Sequence, residues 1–243
     1  DYWLDVDQFA ERDFGSGNAI QNNLNTPNRL VKKGDKYGYD YFAHLLNEKL
    51  WATYRFNVGR FEGYGGLEGG HTTFWRDGVY KKGLFPDNSE GKSAKQRFWT
   101  YTVKAGLTYK ITGNQMVYAN FAYLHQAPYF QDAFVSPRTR NSVVPNLTTE
   151  KVLSADLNYA LRMAGLRVRL TGYYTKIKDQ TDLISFYDDQ NRAYTNFAMS
   201  GIDQTHVGLE LGVAVPLIAG IEAQGAFSFG NYYYTSNPYV TQT

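Results

Sequence analysis

No cysteine occurs in the 243 residues, so neither a disulfide framework nor a thiolate metal site is open to this chain. Its four histidines, His44, His71, His125 and His206, stand far apart and lack the spacing of a metal-ligand set. No stretch approaches the roughly 20 apolar residues that a membrane-spanning helix needs. Charge of one sign is scarce as well. A net charge of +2, with Lys and Arg spread along the chain, gives no footprint for nucleic acid. There is no Gly-x-Ser-x-Gly elbow, and the glycine-rich Gly63–Gly70 is not a phosphate-binding G-x-G-x-x-G. Small residues there suit a strand that a neighbour approaches closely. These absences leave no cofactor, no metal and no catalytic constellation to argue from, and the chain reads as a non-enzyme.

Aromatic residues are abundant. Tyr (21), Phe (15) and Trp (4) make up 16% of the chain, a bias shared by β-rich and membrane-interface proteins. The alternation is clearest from Trp99. Every second residue gives Trp99, Tyr101, Val103, Ala105, Leu107, Tyr109 and Ile111, and between them lie Phe98, Thr100, Thr102, Lys104, Gly106, Thr108 and Lys110. A period of two places the sets on opposite faces of a strand. One face is oily with aromatics toward its ends, and the other is mostly polar.

The same plan recurs. Polar, Asn/Gly-rich residues fill 1–36, read as an external irregular segment, and 37–243 read as strands. Strands are expected near Tyr37–Leu46, Leu50–Asn57 and Arg60–Trp75, followed by a polar stretch, Asp77–Gln96. The Trp99 strand turns at Thr112-Gly113-Asn114 into Val117, Ala119, Phe121 and Tyr123, and a loop follows over about 126–149. Leu153–Leu161 and Leu166–Tyr174 flank a turn at Met163-Ala164-Gly165. An irregular stretch over Lys178–Thr205, with short strands near Asp182–Tyr187 and Ala193–Met199, precedes Val207–Val215 and Ile221–Phe229.

A soluble antiparallel sheet would use the oily face as core. Three observations favour a transmembrane β-barrel instead. The Trp99–Ile111 strand has about 13 residues; at about 3.3 Å each and tilted by about 40°, it rises about 30 Å, the depth of a bilayer core. Its aromatics sit where headgroups would be. Short turns alternate with long loops, as in barrels whose periplasmic turns are short. The fold class is therefore all-β: an antiparallel transmembrane barrel of about ten long strands, an arc of a larger one. Alone, such an arc leaves two unpaired edges. With Asp rather than Met at residue 1 and no visible signal peptide, the chain is expected to be a piece of a longer precursor.

On the predicted inner face, Asp156, Asn158, Arg167 and Arg169 are expected to form a polar network beside the turn at 163–165. It would contact a plug or ligand path, or its charges would neutralise one another. The loops hold Trp75, Tyr80, Phe85, Tyr129, Phe130, Phe134, Tyr187 and Tyr194, whose rings could stack on a sugar or chelate or pack loop against loop. Tyr129 and Phe130 are candidate ligand contacts. Arg138 and Arg140 are candidate contacts for an anionic ligand or lipopolysaccharide phosphate, with a solvated pair as the alternative. Asp188-Asp189 could bind a cation, but a bare charge pair of this kind reads first as a solvated loop.

Several stretches resemble the barrel of TonB-dependent outer-membrane receptors. They are Phe74-Trp75-Arg76-Asp77-Gly78, Lys82-Gly83-Leu84-Phe85-Pro86-Asp87-Asn88, and Ala105-Gly106-Leu107-Thr108-Tyr109-Lys110-Ile111-Thr112-Gly113. Others are Ala127-Pro128-Tyr129-Phe130, Ser136-Pro137-Arg138-Thr139-Arg140, Leu170-Thr171-Gly172-Tyr173-Tyr174-Thr175-Lys176, Ser200-Gly201-Ile202-Asp203 and His206-Val207-Gly208-Leu209-Glu210-Leu211. The resemblance implies a barrel of about 22 strands, an N-terminal plug and a short box that contacts the TonB complex. Neither the plug nor the box is found in this sequence, so the TonB contact would lie in a missing N-terminal segment. The implied function is energised uptake of a scarce ligand: a siderophore, cobalamin or a glycan. The implied location is the outer membrane of a Gram-negative cell, among outer-membrane lipid, with a surface lipoprotein as a further partner. The competing readings are a passive porin-like channel and a soluble β-rich adhesin or sugar-binding module.

Overall fold

The computed structural model describes residues 4–5, 17–188, 193–218 and 220–242. Its regular secondary structure is almost wholly strand. In chain order these are β1 (Leu4–Asp5), β2 (Leu30–Val31), β3 (Tyr41–Val58), β4 (Phe61–Gly78), β5 (Gly91–Lys92) and β6 (Gln96–Lys110). Then come β7 (Gln115–Gln126), β8 (Glu150–Met163), β9 (Leu166–Asp188), β10 (Ala193–Pro216), β11 (Glu222–Tyr234) and β12 (Tyr239–Gln242). One ten-stranded antiparallel sheet runs β11-β10-β9-β8-β7-β6-β4-β3, with β12 beside β10 and β5 beside β4. β1 and β2 form a separate two-stranded ladder. The large sheet does not close: β3 and β11 each pair on one side only.

Neighbouring long strands are joined at one end by tight turns. β3 turns into β4 at Gly59-Arg60, where Gly59 takes φ 59°, a left-handed conformation that costs glycine no Cβ clash. β8 turns into β9 at Ala164-Gly165, pairing Met163 with Leu166. At the other end the connections 79–95 and 127–149 are long. The segments expected as separate strands at Tyr37–Leu46 and Leu50–Asn57 are one strand of 18 residues. Nothing in Asn47-Glu48-Lys49 breaks it, because Lys49 pairs across the ladder with Glu68 at 2.7 Å.

In the stretch expected to be irregular with short strands, Lys178–Thr205, the described residues 178–188 and 193–205 are all strand. They belong to β9 and β10, which have 23 and 24 residues and pair with each other. The polar, turn-like sequence there marks bulges: Asp179 has φ 58°, Gly201 has φ 74°, and the β9–β10 register shifts on both sides of Ile202. A β-bulge kinks a strand without ending it. β11 and β12 are likewise one strand interrupted at 235–238, at the same height. Asp203 N–H donates to Ser236 Oγ at 2.8 Å, Ser236 Oγ donates to Gly201 O at 2.8 Å, and Asp179 N–H donates to Asp203 Oδ1 at 3.0 Å. A line of irregularities therefore crosses three strands and separates a lower wall from an upper plate.

The segment expected outside the barrel, 1–36, is described at Leu4–Asp5 and from Gly17. Its latter part lies against loop 79–95, with Leu24 N–H donating to Lys81 O at 2.8 Å and Gly83 N–H to Gln21 O at 3.0 Å. Tight apolar packing lies at the loop end of the sheet, on its inner face. Phe74, Ala133 and Phe134 are fully buried there with Phe98, Phe130, Val143 and Leu147 around them. Beside them, Val135, Val144 and Ala198 pack with Leu183.

Candidate functional site

The wall has an inverted distribution of polarity. The oily stripe of β6 faces outward, with Trp99 76% and Leu107 48% exposed, while Thr100 on the polar face is buried. Leu157, Leu209 and Phe227 continue the apolar face across β8, β10 and β11, all exposed. Toward the turns, Phe61 meets Tyr109 at 4.9 Å. Toward the loops, Tyr101 meets His125 at 4.8 Å and His71 meets Trp99 at 5.0 Å. A soluble sheet buries its apolar face in a core; here it looks away from the loops and polar side chains, as it must if lipid covers it.

The inner wall is polar and largely paired. Lys110 pairs with Glu62, Lys49 with Glu68, and Arg167 with Glu222. Between them runs a hydrogen-bond chain over four strands. Tyr64 Oη donates to Asn120 Oδ1 at 3.3 Å, and Asn120 Nδ2 to Asp156 Oδ1 at 2.8 Å. Asn158 Nδ2 also donates to Asp156 Oδ1, and Thr171 Oγ1 donates to Asn158 Oδ1 at 2.7 Å. Asp156 and Asn158 are thus brought together, but the expected network with both arginines is not formed. The two-residue turn pairs Asn158 with Thr171 and Asp156 with Tyr173, which leaves Arg169 opposite Ala160 and Arg167 opposite Arg162. Arg167 turns to the glutamate of β11 instead.

Glycines let inner-wall tyrosines lie flat. A Cβ on Gly106 would strike the Tyr64 ring, and one on Gly208 would stand 2.5 Å from Tyr173 Oη. Tyr173 Oη in turn shares a hydrogen bond with Tyr232 Oη at 2.5 Å.

The external candidates divide between exposed and packed positions. Tyr129 is 71% exposed. Phe130 turns inward, 5.0 Å from Phe134 and 5.9 Å from Phe74, so it serves loop packing. Phe134 is buried with it. Arg138 is exposed and lies over the Tyr39 ring at 5.2 Å, and Arg140 lies over Phe85 at 4.6 Å. Burial pushes the Arg140 guanidinium below its ordinary pKa, and its Nε has no hydrogen-bond partner among the described residues. Trp75 stacks on His44 at 4.7 Å and carries Lys95 at 4.5 Å. Tyr80 is buried, donating to Lys36 O at 3.1 Å and accepting from Arg29 Nη1 at 3.2 Å. Tyr187 is half exposed. The Tyr194 side chain and the Asp188-Asp189 pair lie outside what is described.

The sequence reading passed over two loop-end residues. Asp132, in the short turn of helix Phe130–Asp132, has its carboxyl raised to about 6 by burial and then by the charge of Asp182. Arg76, at the loop end of β4, is 1% exposed and reaches both long loops. Its signal was available: alternation from Phe74 puts Arg76 on the inner face, where an unshielded cation needs acceptors. Among the described residues no group of His, Asp or Glu is arranged to hold a metal ion.

An antiparallel sheet with an outward apolar band, aromatic ends, short turns on one side and ordered loops on the other defines a transmembrane β-barrel wall. The sequence matches the family described as TonB dependent receptor-like, beta-barrel, over residues 2–243, and the chain belongs to that family. No curated protein matches it. Among solved structures it is similar to the copper transporter OprC, with a TM-score of 0.65 and 13% identity over 82% of this chain and 30% of that one. It is also similar to the closed form of Fiu, the ferric-catecholate import receptor of E. coli K12, with a TM-score of 0.57 and 16% identity over 86% and 31% of the two chains. At these identities the likeness is one of fold. The chain spans under a third of the length of either neighbour.

Proposed function

We propose that this chain forms part of the wall and external surface of a receptor in a Gram-negative outer membrane, which imports a scarce ligand with energy from TonB. The observation that carries this reading is the pairing of a lipid-type outer face with long loops that fold inward over the polar face. A passive pore needs open access to its lumen; ordered loops packed over the inner wall suit a surface that captures before it conducts. The receptor would bind and move its ligand without covalent chemistry. OprC and Fiu are described as taking copper and ferric catecholate, and siderophores, cobalamin and glycans are all within reach of such a surface. Tyr129, Arg138 and Arg140 are the side chains proposed to meet the ligand. Asp156 and Asn158 are proposed to meet a plug from the inner wall, and a surface lipoprotein is a further proposed partner.

The test uses the complete receptor in its own cells. Outer-membrane fractionation should recover it with lipid, and ligand-limited growth should fail when TonB is deleted or when 127–149 is removed. Uptake that persists without TonB would make the protein a passive channel.

A further inference from the structure

Arg76 is buried near the loop end of β4, yet no ion pair to it is found among the described residues. Its donors go to neutral acceptors on two loops. Nε donates to Pro137 O at 2.6 Å, and Nη1 donates to Asn141 Oδ1 at 2.6 Å and to Ser89 O at 2.7 Å. The guanidinium lies over Tyr41 at 5.1 Å. Its backbone is held as well: Arg76 N–H donates to Ser93 Oγ at 2.9 Å, and Ser93 N–H to Arg76 O at 2.8 Å.

Pro137 and Asn141 bracket Arg138 and Arg140. Just before Pro137, Ser136 O closes the turn by accepting from Thr139 N–H and Arg140 N–H, both at 3.0 Å. One guanidinium therefore grips both ends of the turn that carries the two candidate ligand arginines, and reaches the other loop through Ser89. Direct contacts reinforce the junction: Asn141 N–H donates to Asn88 O at 2.7 Å, and Asn88 Nδ2 to Ser142 Oγ at 2.8 Å. Carbonyl and amide oxygens satisfy the donors of Arg76 but leave its positive charge standing. The charge of Asp77 acts on Arg76 favourably but makes no ion pair with it among the described residues, and a buried charge without a direct counter-ion is costly as packing alone. A planar fork can span three acceptors, which a lysine ammonium cannot do in the same geometry.

We propose that Arg76 is a positioning residue: it fixes the turn that presents Arg138 and Arg140 to an anionic ligand, and it locks loops 79–95 and 127–149 so that neither opens without the other. The anionic ligand rests on the receptor reading; the locking of the loops does not.

Hydrogen exchange on the complete receptor in detergent micelles tests the lock without any ligand. Phe134→Ala loosens loop 127–149 at its apolar contact with Phe74, and none of the groups that accept from Arg76 belongs to Phe134. With Arg76 present, it should raise exchange at 82–92 by about five-fold, as expected for neighbours coupled through a shared partner. With Arg76→Met, both loops should already exchange faster, and Phe134→Ala should add less than about two-fold at 82–92. Arg76→Lys should behave as Arg76→Met, while the membrane strands keep their protection. Should Arg76→Met fail to assemble, Arg76→Gln carries the same cycle. An effect of Phe134→Ala confined to 127–149, an equal effect in both backgrounds, or full protection with Arg76→Lys would overturn the proposal. A locked pair of loops in a protein whose uptake ignores TonB would retain this inference and remove the receptor reading.

Discussion

The hydroxyl of Tyr173 occupies the space that a side chain on Gly208 would need: a Cβ there would stand 2.5 Å from Tyr173 Oη. The tyrosine crosses the glycine of β10 to reach Tyr232 on β11. Gly208→Ala should force the ring aside and press on Phe229 O, 2.7 Å from the same Cβ, and should cost about 1–3 kcal/mol, the usual range for overpacking. Gly212→Ala is the matched control on the same strand and face, where nothing lies within 4 Å. It should change stability by under about 0.5 kcal/mol. Urea unfolding of the refolded receptor, followed by heat-modified gel mobility, gives both values. Equal costs would mean that the ring moves freely.

The outward apolar face makes a second test. Leu107→Arg should cost about 2–4 kcal/mol if the site faces the middle of a bilayer. Thr108→Arg, one residue along and on the inner face, should cost much less. A larger cost at Thr108 would reverse the assignment of faces.

Asp132 gives the loop a pH dependence. Its folded value of about 6 lies well above the ordinary range of an aspartate carboxyl, so the packed loop prefers the neutral acid. The stabilisation is fully present below about pH 4 and is lost as pH rises through about 6. After correction for intrinsic rates, amides in 130–144 should exchange more slowly at pH 4 than at pH 7.5, and Asp132→Asn should flatten the difference. Faster exchange at acid pH would contradict the sign.

Phe134 is fully buried between loop and wall. Phe134→Ala should remove about 3 kcal/mol of loop stability through lost contacts and the cavity left behind. Trypsin should then cut after Arg138 and Arg140 well before it cuts the wild-type loop, with the strands intact. Unchanged cleavage would mean that the loop is held by its polar contacts alone.

The faces of the strands were legible because alternation survives wherever one side is oily: Trp99 to Tyr109 point outward as their spacing predicts. Registers were less legible. A two-residue shift in register at the turn 163–165 decides whether Asn158 meets Arg169 or Thr171, and because such a shift keeps every side chain on its own face, the alternation does not settle that choice. Gly106 falls on the polar face of the alternation as expected, but the sequence does not show that the Tyr64 ring fills its space from a neighbouring strand. Asp179 and Gly201 read as loop because polar and glycine residues serve bulges and turns alike. The inward face of Arg76 was legible, but its partners were not, since its three acceptors come from segments 13, 61 and 65 residues away.

The line of bulges through Asp179, Gly201 and 235–238 has a mechanical consequence. Along most of β9 and β10 a pull on the outer end would travel down an unbroken ladder of amide bonds. At this line the ladder is interrupted, and the load passes through a few stitches, Asp179 to Asp203 and Asp203 to Ser236. The two backbones run on through the seam, so it is the place where the upper plate can bend against the wall without breaking either strand.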